Sequence, residues 1–327
     1  MLLQINNLSV EFSSMLQTVK ALNHVSFSIG PGEILGIVGE SGSGKSVTAL
    51  TILGLLEKNA RIKSGEILYK GKNILQISKK EQQELRGKEI AMIFQEPMTS
   101  LHPTMRIGDQ LAEVIHRHRS ISYKEAYRQA VLSLDEVKIN DPELVARKYP
   151  FELSGGMRQR VVIALAMSAP PDLLIADEPT TALDVTIQHE ILKLMKELAE
   201  KRGTSIMLIT HDLGVVTQVC QRVVVMYAGK VVETGKTEEV LHQPVHPYTR
   251  ALIGALPDLA TPDQPLHAIP GESPDLRNLP AGCVFAPRCE RAIPLCREDQ
   301  PVLEQVTETG IGDAYLPDVH RVACWVR

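Results

Sequence analysis

The residues from Gly39 to Ser46 form a pattern that binds phosphate. They read Gly-Glu-Ser-Gly-Ser-Gly-Lys-Ser and fit G-x-x-x-x-G-K-[ST], between a predicted apolar strand and a predicted helix. Glycines let backbone amides wrap a β-phosphate, Lys45 can reach the β- and γ-phosphate oxygens, and the Ser46 hydroxyl can ligate Mg²⁺. The alternative is a chance Gly/Ser turn, which the strand–loop–helix setting disfavours. The predicted nucleotide-binding residues here are Gly39, Glu40, Ser41, Gly42, Ser43, Gly44, Lys45, Ser46 and Val47.

Two carboxylates end a second apolar strand, at residues 173–176. Asp177 is expected to hold Mg²⁺, through water, and Glu178 to orient and deprotonate an attacking water. A buried acidic pair is costly unless a cation compensates its charge. An exposed acidic turn is the alternative, and the sequence that follows, from Pro179 to Asp184, argues against it.

A third motif, Leu-Ser-Gly-Gly-Met-Arg-Gln-Arg, spans residues 153–160. We expect the Ser154 hydroxyl and the amides of Gly155 and Gly156 to lie at a helix N-terminus. Unpaired N–H groups and the helix dipole favour an anion at that position.

Size and composition limit the class of protein. The 327 residues suffice for one large domain and an appendage, and 44% hydrophobic but only 4% aromatic residues predict an aliphatic core. A formal net charge of −4 argues against a nucleic-acid partner. We find neither an apolar run of membrane-spanning length nor a signal-peptide pattern at the start. These features predict a cytosolic protein that meets a membrane by docking.

Hydrophobic periodicity places the motifs on an α/β framework. Alternating residues predict strands at 2–12 and 19–29, and Ser122 with Glu125 resembles a capping box. Asp141 is expected to cap a helix that Pro142 begins. The remaining predicted strands lie at 33–38, 64–70, 89–94, 173–176, 205–210, 222–227 and 231–233, and the helices at 45–56, within 105–146, and at 161–167 and 185–201. Strands separated by helices imply a mainly parallel sheet. Near Pro244 a proline-rich, loop-rich appendage begins.

In this order the motifs resemble those of ATP-binding-cassette (ABC) ATPases over about the first 250 residues. The resemblance implies a P-loop NTPase fold, with a RecA-like core and antiparallel β and helical subdomains, the latter at about residues 97–155. It also implies that the motif at 153–160 binds the γ-phosphate of ATP held by another subunit, so that two subunits close around two nucleotides.

The same resemblance suggests roles for four further residues. Gln95 matches the glutamine that senses Mg²⁺ and water and links the site to a membrane partner, and Asp184 matches a residue that communicates across the dimer. His211 matches the histidine that contacts the γ-phosphate, and Phe12 the aromatic that stacks on adenine; for Phe12, an ordinary strand aromatic is the alternative. Because Lys45, Glu178 and His211 are all present, hydrolysis rather than mere binding is expected.

The end of the chain resembles the C-terminal extension of dipeptide and oligopeptide importer ATPases. The resemblance rests on His-Pro-Tyr-Thr-Arg-Ala-Leu at 246–252, Ile-Pro-Gly at 269–271 and the segment 280–289. It implies domains at 1–250 and 251–327, peptide uptake, and a place at the cytoplasmic face of the bacterial plasma membrane. The implied partners are a paralogous ATPase, two permease subunits and an extracytoplasmic peptide-binding protein.

Four cysteines stand in this extension: Cys283, Cys289, Cys296 and Cys324. Clustered cysteines in a reducing compartment favour metal ligation over disulfides. The gaps exceed those usual for zinc, whereas four thiolates suit a [4Fe–4S] cluster, which related importer ATPases hold. Arg288, Arg291 and Arg297 are expected to offset its charge. Zinc and unligated thiols are the alternatives.

Other functions were weighed against import of peptides. Translation factors of the superfamily carry two cassettes per chain, chromosome proteins insert long coiled coils between the phosphate loop and the later motif, and cluster-assembly ATPases lack this extension. A redox-sensing module is a further alternative. Nickel, glutathione, antimicrobial peptides and sugar oligomers remain open as substrates.

Overall fold

The computed structural model describes residues 1–14, 17–181, 183–255, 269–306 and 319–326. The chain divides into two units, each made of separate stretches. The first comprises Met1–Gly30, Ile34–Ile77 and Ile209–Arg327, and the second comprises Pro31–Glu33 and Ser78–Leu208. In the extension predicted to begin at residue 251, residues 256–268, 307–318 and 327 lie outside the described part.

The first unit opens with an antiparallel sheet and the strand that precedes the phosphate loop. Its elements are β1 (Leu3–Ser13), β2 (Thr18–Ile29), β3 (Ile34–Val38), α1 (Lys45–Ile52), β4 (Ala60–Tyr69) and β5 (Lys72–Asn73). Four strands form one sheet in the order β2-β1-β4-β5. The alternation predicted for β1 is confirmed, since Leu3 and Ile5 are fully buried while Gln4 and Asn6 between them are partly exposed.

The second unit combines helices with two parallel strands. Its elements are α2 (Lys79–Leu85), β6 (Ile90–Ile93), α3 (Pro97–Ser100), α4 (Ile107–Arg119), α5 (Tyr123–Glu136), α6 (Pro142–Ala146), α7 (Gly155–Met167), β7 (Leu173–Asp177) and α8 (Val185–Arg202). β6 and β7 pair in parallel from Ile90 and Leu173 to Ile93 and Ala176. β8 (Ser205–Thr210) begins in this unit and ends in the first. Every residue of β7 and β8 is buried, as continuous apolar runs predict.

At two helix starts, the capping contacts in the structure differ from those predicted. The Ser122 hydroxyl accepts a 3.3 Å hydrogen bond from the Glu125 amide, but the Glu125 carboxylate binds Arg128 and Gln129 on its own helix, so the capping box is only half formed. Asp141 occupies the cap position of α6, but its side chain makes no capping hydrogen bond. Its backbone is left-handed rather than in the extended conformation usual for a capping residue, although its carbonyl oxygen accepts from the amides of Leu144 and Val145. Pro142 begins the helix as predicted.

The first unit resumes after β8 and ends with the extension. Its elements are α9 (Leu213–Val219), β9 (Arg222–Tyr227), β10 (Lys230–Lys236), α10 (Thr237–His242), α11 (Pro247–Gly254), a 3-10 turn (Ala286–Arg288), α12 (Pro294–Glu298), β11 (Glu304–Gln305) and β12 (Arg321–Val322). Within this unit the strand order is β11-β12-β10-β9-β3, with β3 and β9 parallel. The strands predicted at 222–227 and 231–233 correspond to β9 and β10, which pair antiparallel as a hairpin. Cys220, which the apolar pattern around it places in a buried helix, is buried but lies just past the end of α9.

A buried carboxylate joins the extension to β10. Glu233 is fully buried and accepts hydrogen bonds from the amides of Val245 (2.7 Å) and His246 (3.0 Å). The ring Nε2 of His320 lies 2.8 Å from the same carboxylate. One acidic side chain therefore holds both the start of α11 and the C-terminal strand. None of the described helices is long and apolar enough to cross a membrane.

Candidate nucleotide site

The phosphate loop connects β3 to α1 through glycines in conformations that other residues avoid. Gly39, Gly42 and Gly44 have φ angles of 149°, 77° and 101°. A Cβ at Gly39 would lie 2.1 Å from the carbonyl oxygen of Met226, and one at Gly44 would lie 2.7 Å from a methyl group of Leu22. The first and third of these glycines are therefore required by packing as well as by backbone conformation.

The loop holds the ammonium group of Lys45 over its own backbone. Lys45 is only 7% exposed, and its Nζ donates to the carbonyl oxygens of Gly39 (2.7 Å) and Glu40 (2.9 Å) and to the hydroxyl of Ser43 (3.4 Å). A buried ammonium needs such acceptors to offset its lost hydration. The conformation of the Gly39–Glu40 segment therefore fixes where this charge lies.

In the second unit, the structure brings together two residues predicted for catalysis. The amide Nε2 of Gln95 donates a 3.0 Å hydrogen bond to Oε2 of Glu178. The hydroxyl of Thr181 donates to the same oxygen at 2.9 Å. Glu178 has a φ of 48°, which is uncommon for a residue with a side chain and is typical of functional positions. Asp177, at the end of β7, is only 7% exposed.

Two helices of the second unit begin at predicted site residues. Ser154 caps α7, and its hydroxyl accepts from the Met157 amide at 3.3 Å. Asp184 caps α8 by accepting from the Ile187 amide at 2.9 Å. The prediction that the motif at 153–160 opens a helix is confirmed, with Gly155 and Gly156 in its first turn. This is the part of a helix that favours an anion.

The other predicted residues lie in the first unit. Ser46 and Val47 are in the first turn of α1, and Ser46 is exposed. Phe12 lies near the end of β1, partly exposed, opposite Val19 of β2. His211 directly follows β8.

The four cysteines of the extension do not form a recognisable metal centre. Among the described residues, which include all four, no group of three or more His, Cys, Asp or Glu side chains is arranged to hold a metal ion. This arrangement does not support the expected [4Fe–4S] cluster. Burial, with smaller contributions from nearby Cys324 and Cys296, raises the pKa of the Cys283 thiol to about 11, so the thiol is protonated at neutral pH. Burial likewise raises the pKa values of Cys289 and Cys324.

The structure adds three residues that sequence reasoning did not place at the site: Thr181, Tyr248 and Arg288. Arg288 was expected to offset the charge of a cluster, but its guanidinium pairs with Glu40 of the phosphate loop at 2.8 Å. Tyr248 accepts a 2.8 Å hydrogen bond from the Glu40 amide. Glu40 lies 208 residues before Tyr248 and 248 before Arg288, so no local pattern could reveal these two contacts, whereas Thr181 is only three residues from Glu178.

Comparison with known proteins identifies two family regions. Residues 22–181 match the family "ABC transporter", and residues 232–296 match "Oligopeptide/dipeptide transporter, C-terminal region". A probable peptide ABC transporter ATP-binding protein of Sinorhizobium fredii is 49% identical, covering 99% of this chain and 95% of the relative. The chain belongs to the ABC transporter ATP-binding proteins. It is a member of the group that carries this C-terminal region, and it is an ATP-hydrolysing subunit.

Other relatives support the same placement. This ATPase is 50% identical to the oligopeptide transport ATP-binding protein OppD of Bacillus subtilis, over 98% of this chain and 91% of the relative. It is 47% identical to the dipeptide transport ATP-binding protein DppD of the same organism, over 99% and 94%. Among solved structures, the ATP-binding cassette MJ0796, in a dimeric post-hydrolysis state with ADP and Pi, matches with a TM-score of 0.65 and 27% identity, over 72% of this chain and 98% of that one. This likeness confirms the P-loop NTPase fold of mixed α/β structure.

ATP and Mg²⁺ suit the residues present. The buried Lys45 ammonium is a counter-charge for phosphate, and the loop glycines leave backbone amides available. The donors predicted for Mg²⁺ are the Ser46 hydroxyl, the Asp177 carboxylate and the Gln95 side-chain amide. All three offer oxygen, the ligand type that Mg²⁺ prefers.

Proposed function

We propose that this ATPase powers uptake of dipeptides or oligopeptides through a membrane ABC importer. The observation that carries the proposal is the C-terminal region matched at residues 232–296, which follows a complete set of ATPase motifs. Relatives aligned over nearly the whole chain bear names for oligopeptide and dipeptide transport. In this proposal the catalytic domain spans residues 1–250, with a RecA-like core, an antiparallel β subdomain and a helical subdomain at about 97–155. Residues 251–327 form the cysteine-containing extension.

Glu178 is the general base in the proposed hydrolysis. Its carboxylate orients and deprotonates the attacking water, while Gln95 and Thr181 hold one carboxylate oxygen in place. Lys45 and His211 offset charge on the γ-phosphate, and Phe12 stacks on adenine. Mg²⁺, held by Ser46, Gln95 and Asp177, would supply further positive charge for the phosphate oxygens.

The nucleotide is shared between two subunits in this proposal. Ser154, Gly155 and Gly156 at the start of α7 bind the γ-phosphate carried by a paralogous ATPase subunit, and Asp184 communicates between the two sites. Closure of the dimer on ATP moves two permease subunits between inward-facing and outward-facing states, and hydrolysis resets them. A peptide-binding protein delivers the substrate on the opposite side of the membrane. The ATPase lies at the cytoplasmic face of the bacterial plasma membrane.

Uptake by intact cells tests the peptide substrate. A strain that lacks this gene is complemented with the wild-type chain or with Glu178→Gln, and entry of labelled dipeptide and oligopeptide is measured beside labelled nickel, glutathione and a sugar oligomer. We expect only peptide uptake to depend on the gene, and Glu178→Gln not to restore it. Gene-dependent entry of another substrate, with unchanged peptide uptake, would refute the peptide assignment while leaving the ATPase intact.

We further propose that the four cysteines ligate a [4Fe–4S] cluster that cross-links and stabilises the extension. Two observations support this: the extension holds four of the chain's five cysteines, and the Cys283 amide donates a 2.8 Å hydrogen bond to the Cys296 carbonyl oxygen. Iron, acid-labile sulfide and zinc are measured on anaerobically purified protein beside Cys289→Ser. About four irons per chain, lost in the variant, are expected; one zinc or no metal would reject the cluster.

A further inference from the structure

The second residue of the phosphate loop, Glu40, is held by Arg288 of the C-terminal extension and by Tyr248 just before the extension. The carboxylate of Glu40 accepts hydrogen bonds from Nη1 (2.8 Å) and Nη2 (3.2 Å) of Arg288, and its amide donates to the hydroxyl of Tyr248 (2.8 Å). Glu40 therefore has both its backbone and its side chain fixed by residues more than two hundred positions later. All three residues belong to the first unit.

Arg288 is firmly placed by other contacts. Its side chain is only 7% exposed. Its Nε donates to the carbonyl oxygen of Pro270 (2.8 Å), its Nη1 to the hydroxyl of Tyr227 (3.2 Å) and its Nη2 to the carbonyl oxygen of Ile269 (3.4 Å). A guanidinium that satisfies this many acceptors has little freedom to leave. The pair with Glu40 is thus a two-pronged, largely buried contact.

An aromatic cluster supports the same contact. The rings of Tyr227 and Tyr248 have centroids 4.6 Å apart, and Phe285 of the extension lies 5.2 Å and 5.4 Å from them. Burial raises the pKa of both tyrosines, so both stay neutral at physiological pH. The extension is therefore packed against the residues that bind the phosphate loop.

The charge and the position of Glu40 both affect nucleotide binding. Glu40 carries a negative charge in the loop that must accept an anionic nucleotide, and an uncompensated carboxylate there repels phosphate. In addition, the carbonyl oxygen of Glu40 holds Lys45 at 2.9 Å, so a shift of Glu40 moves the lysine. By pairing with the Glu40 carboxylate, Arg288 both offsets this negative charge and fixes the position of Glu40.

We propose that Arg288 is a positioning residue for ATP binding, which neutralises Glu40 and fixes the phosphate loop from the C-terminal extension. The extension is then part of the nucleotide site of the same chain. The inference rests on ATP binding and not on the identity of the transported substrate, so a negative result in peptide uptake would leave it standing.

Binding of the nonhydrolysable analogue AMP-PNP with Mg²⁺ to the purified full chain tests this by calorimetry. We expect Arg288→Gln to weaken binding about tenfold, as loss of a charged hydrogen-bonded pair predicts. Because part of the loss is charge repulsion between Glu40 and phosphate, the loss should shrink between about 0.05 M and about 0.5 M salt. The double variant Glu40→Gln with Arg288→Gln should bind within about threefold of Glu40→Gln alone, because the repelling charge is gone in both.

Two controls separate positioning from folding. Arg277→Ala removes another arginine–carboxylate pair of the extension, Arg277 with Asp275, in which both side chains are exposed; it should bind AMP-PNP like wild type. Arg288→Lys keeps the charge without the two-pronged contact, so its affinity at low salt should lie between those of Arg288→Gln and wild type. Thermal unfolding verifies that each variant is folded. The proposal is overturned by wild-type affinity in Arg288→Gln, by a loss that neither salt nor Glu40→Gln relieves, or by a loss in folded Arg288→Lys as large as that in Arg288→Gln.

Discussion

The side-chain amide of Gln95 donates a 3.0 Å hydrogen bond to the carboxylate of Glu178. Gln95 follows β6 and Glu178 follows β7, and these neighbouring parallel strands end at the same edge of the sheet. The carboxylate is thus held from one side by a residue of the next strand. This relationship links the proposed base to the segment that the family resemblance connects with a membrane partner.

Glu178→Gln should bind ATP but hydrolyse it about 10²–10⁴ times more slowly, because the amide keeps the shape of the side chain and cannot accept the proton of water. ATP affinity and steady-state hydrolysis are measured on the same preparation, and a closed dimer should accumulate with ATP in size-exclusion chromatography. Turnover at the wild-type rate would show that another group is the base.

Thr181→Val should lower kcat about tenfold with little change in KM for ATP. The hydroxyl donates to Oε2 of Glu178 at 2.9 Å, and its loss leaves the carboxylate less well oriented. Thr181→Ser, which retains the hydroxyl, should keep most of the activity. Equal loss in the two variants would mean that packing of the methyl group, and not the hydrogen bond, matters.

Gly39→Ala should destabilise the chain by at least about 2 kcal/mol and abolish ATP binding, because the new Cβ would lie 2.1 Å from a backbone oxygen at a φ that alanine avoids. Gly71→Ala is the matched control. Gly71 also has a positive φ, of 80°, but a Cβ there meets no atom within 4 Å, so only about 1 kcal/mol is expected. Urea unfolding of both variants provides the comparison, and equal losses would contradict the packing argument.

His246 should make the protein less stable in mild acid. Burial lowers its pKa from 6.5 to about 4, against an opposing effect of Glu233. Above about pH 6.5 the histidine is neutral in both states; as pH falls towards 4, only the unfolded chain binds the proton. Stability is then lost progressively, by up to about 3 kcal/mol.

The structural reason for this loss is the cap of α11. Ring Nδ1 of His246 accepts from the Tyr248 amide at 3.0 Å, which requires an unprotonated nitrogen. His246→Asn, which can still cap the helix, should flatten the decline between about pH 6.5 and 4. The exposed His24→Asn should leave it unchanged. The test is the free energy of unfolding measured between about pH 6.5 and 4 for wild type and both variants. If it declines as steeply with falling pH in His246→Asn as in wild type, a group other than His246 causes the acid sensitivity.

The sequence predicted those parts of the molecule that depend on local pattern. The strands, the helix start at Ser154 and the phosphate loop follow from periodicity, capping residues and glycine spacing. Asp141 and Glu125 show the limit, because a left-handed backbone at one and a competing arginine at the other changed the expected caps. The pairing of Arg288 with Glu40 depends on how the extension folds back, which no spacing rule encodes.

ATP hydrolysis by the assembled importer tests the central claim most directly. The chain is purified with its permease and ATPase partners, placed in lipid vesicles, and assayed with the binding protein, with and without a dipeptide or an oligopeptide. The account predicts that peptide-loaded binding protein raises the hydrolysis rate several-fold and that Glu178→Gln abolishes the rise. A rate indifferent to peptide, but raised by nickel, glutathione or a sugar oligomer, would contradict it.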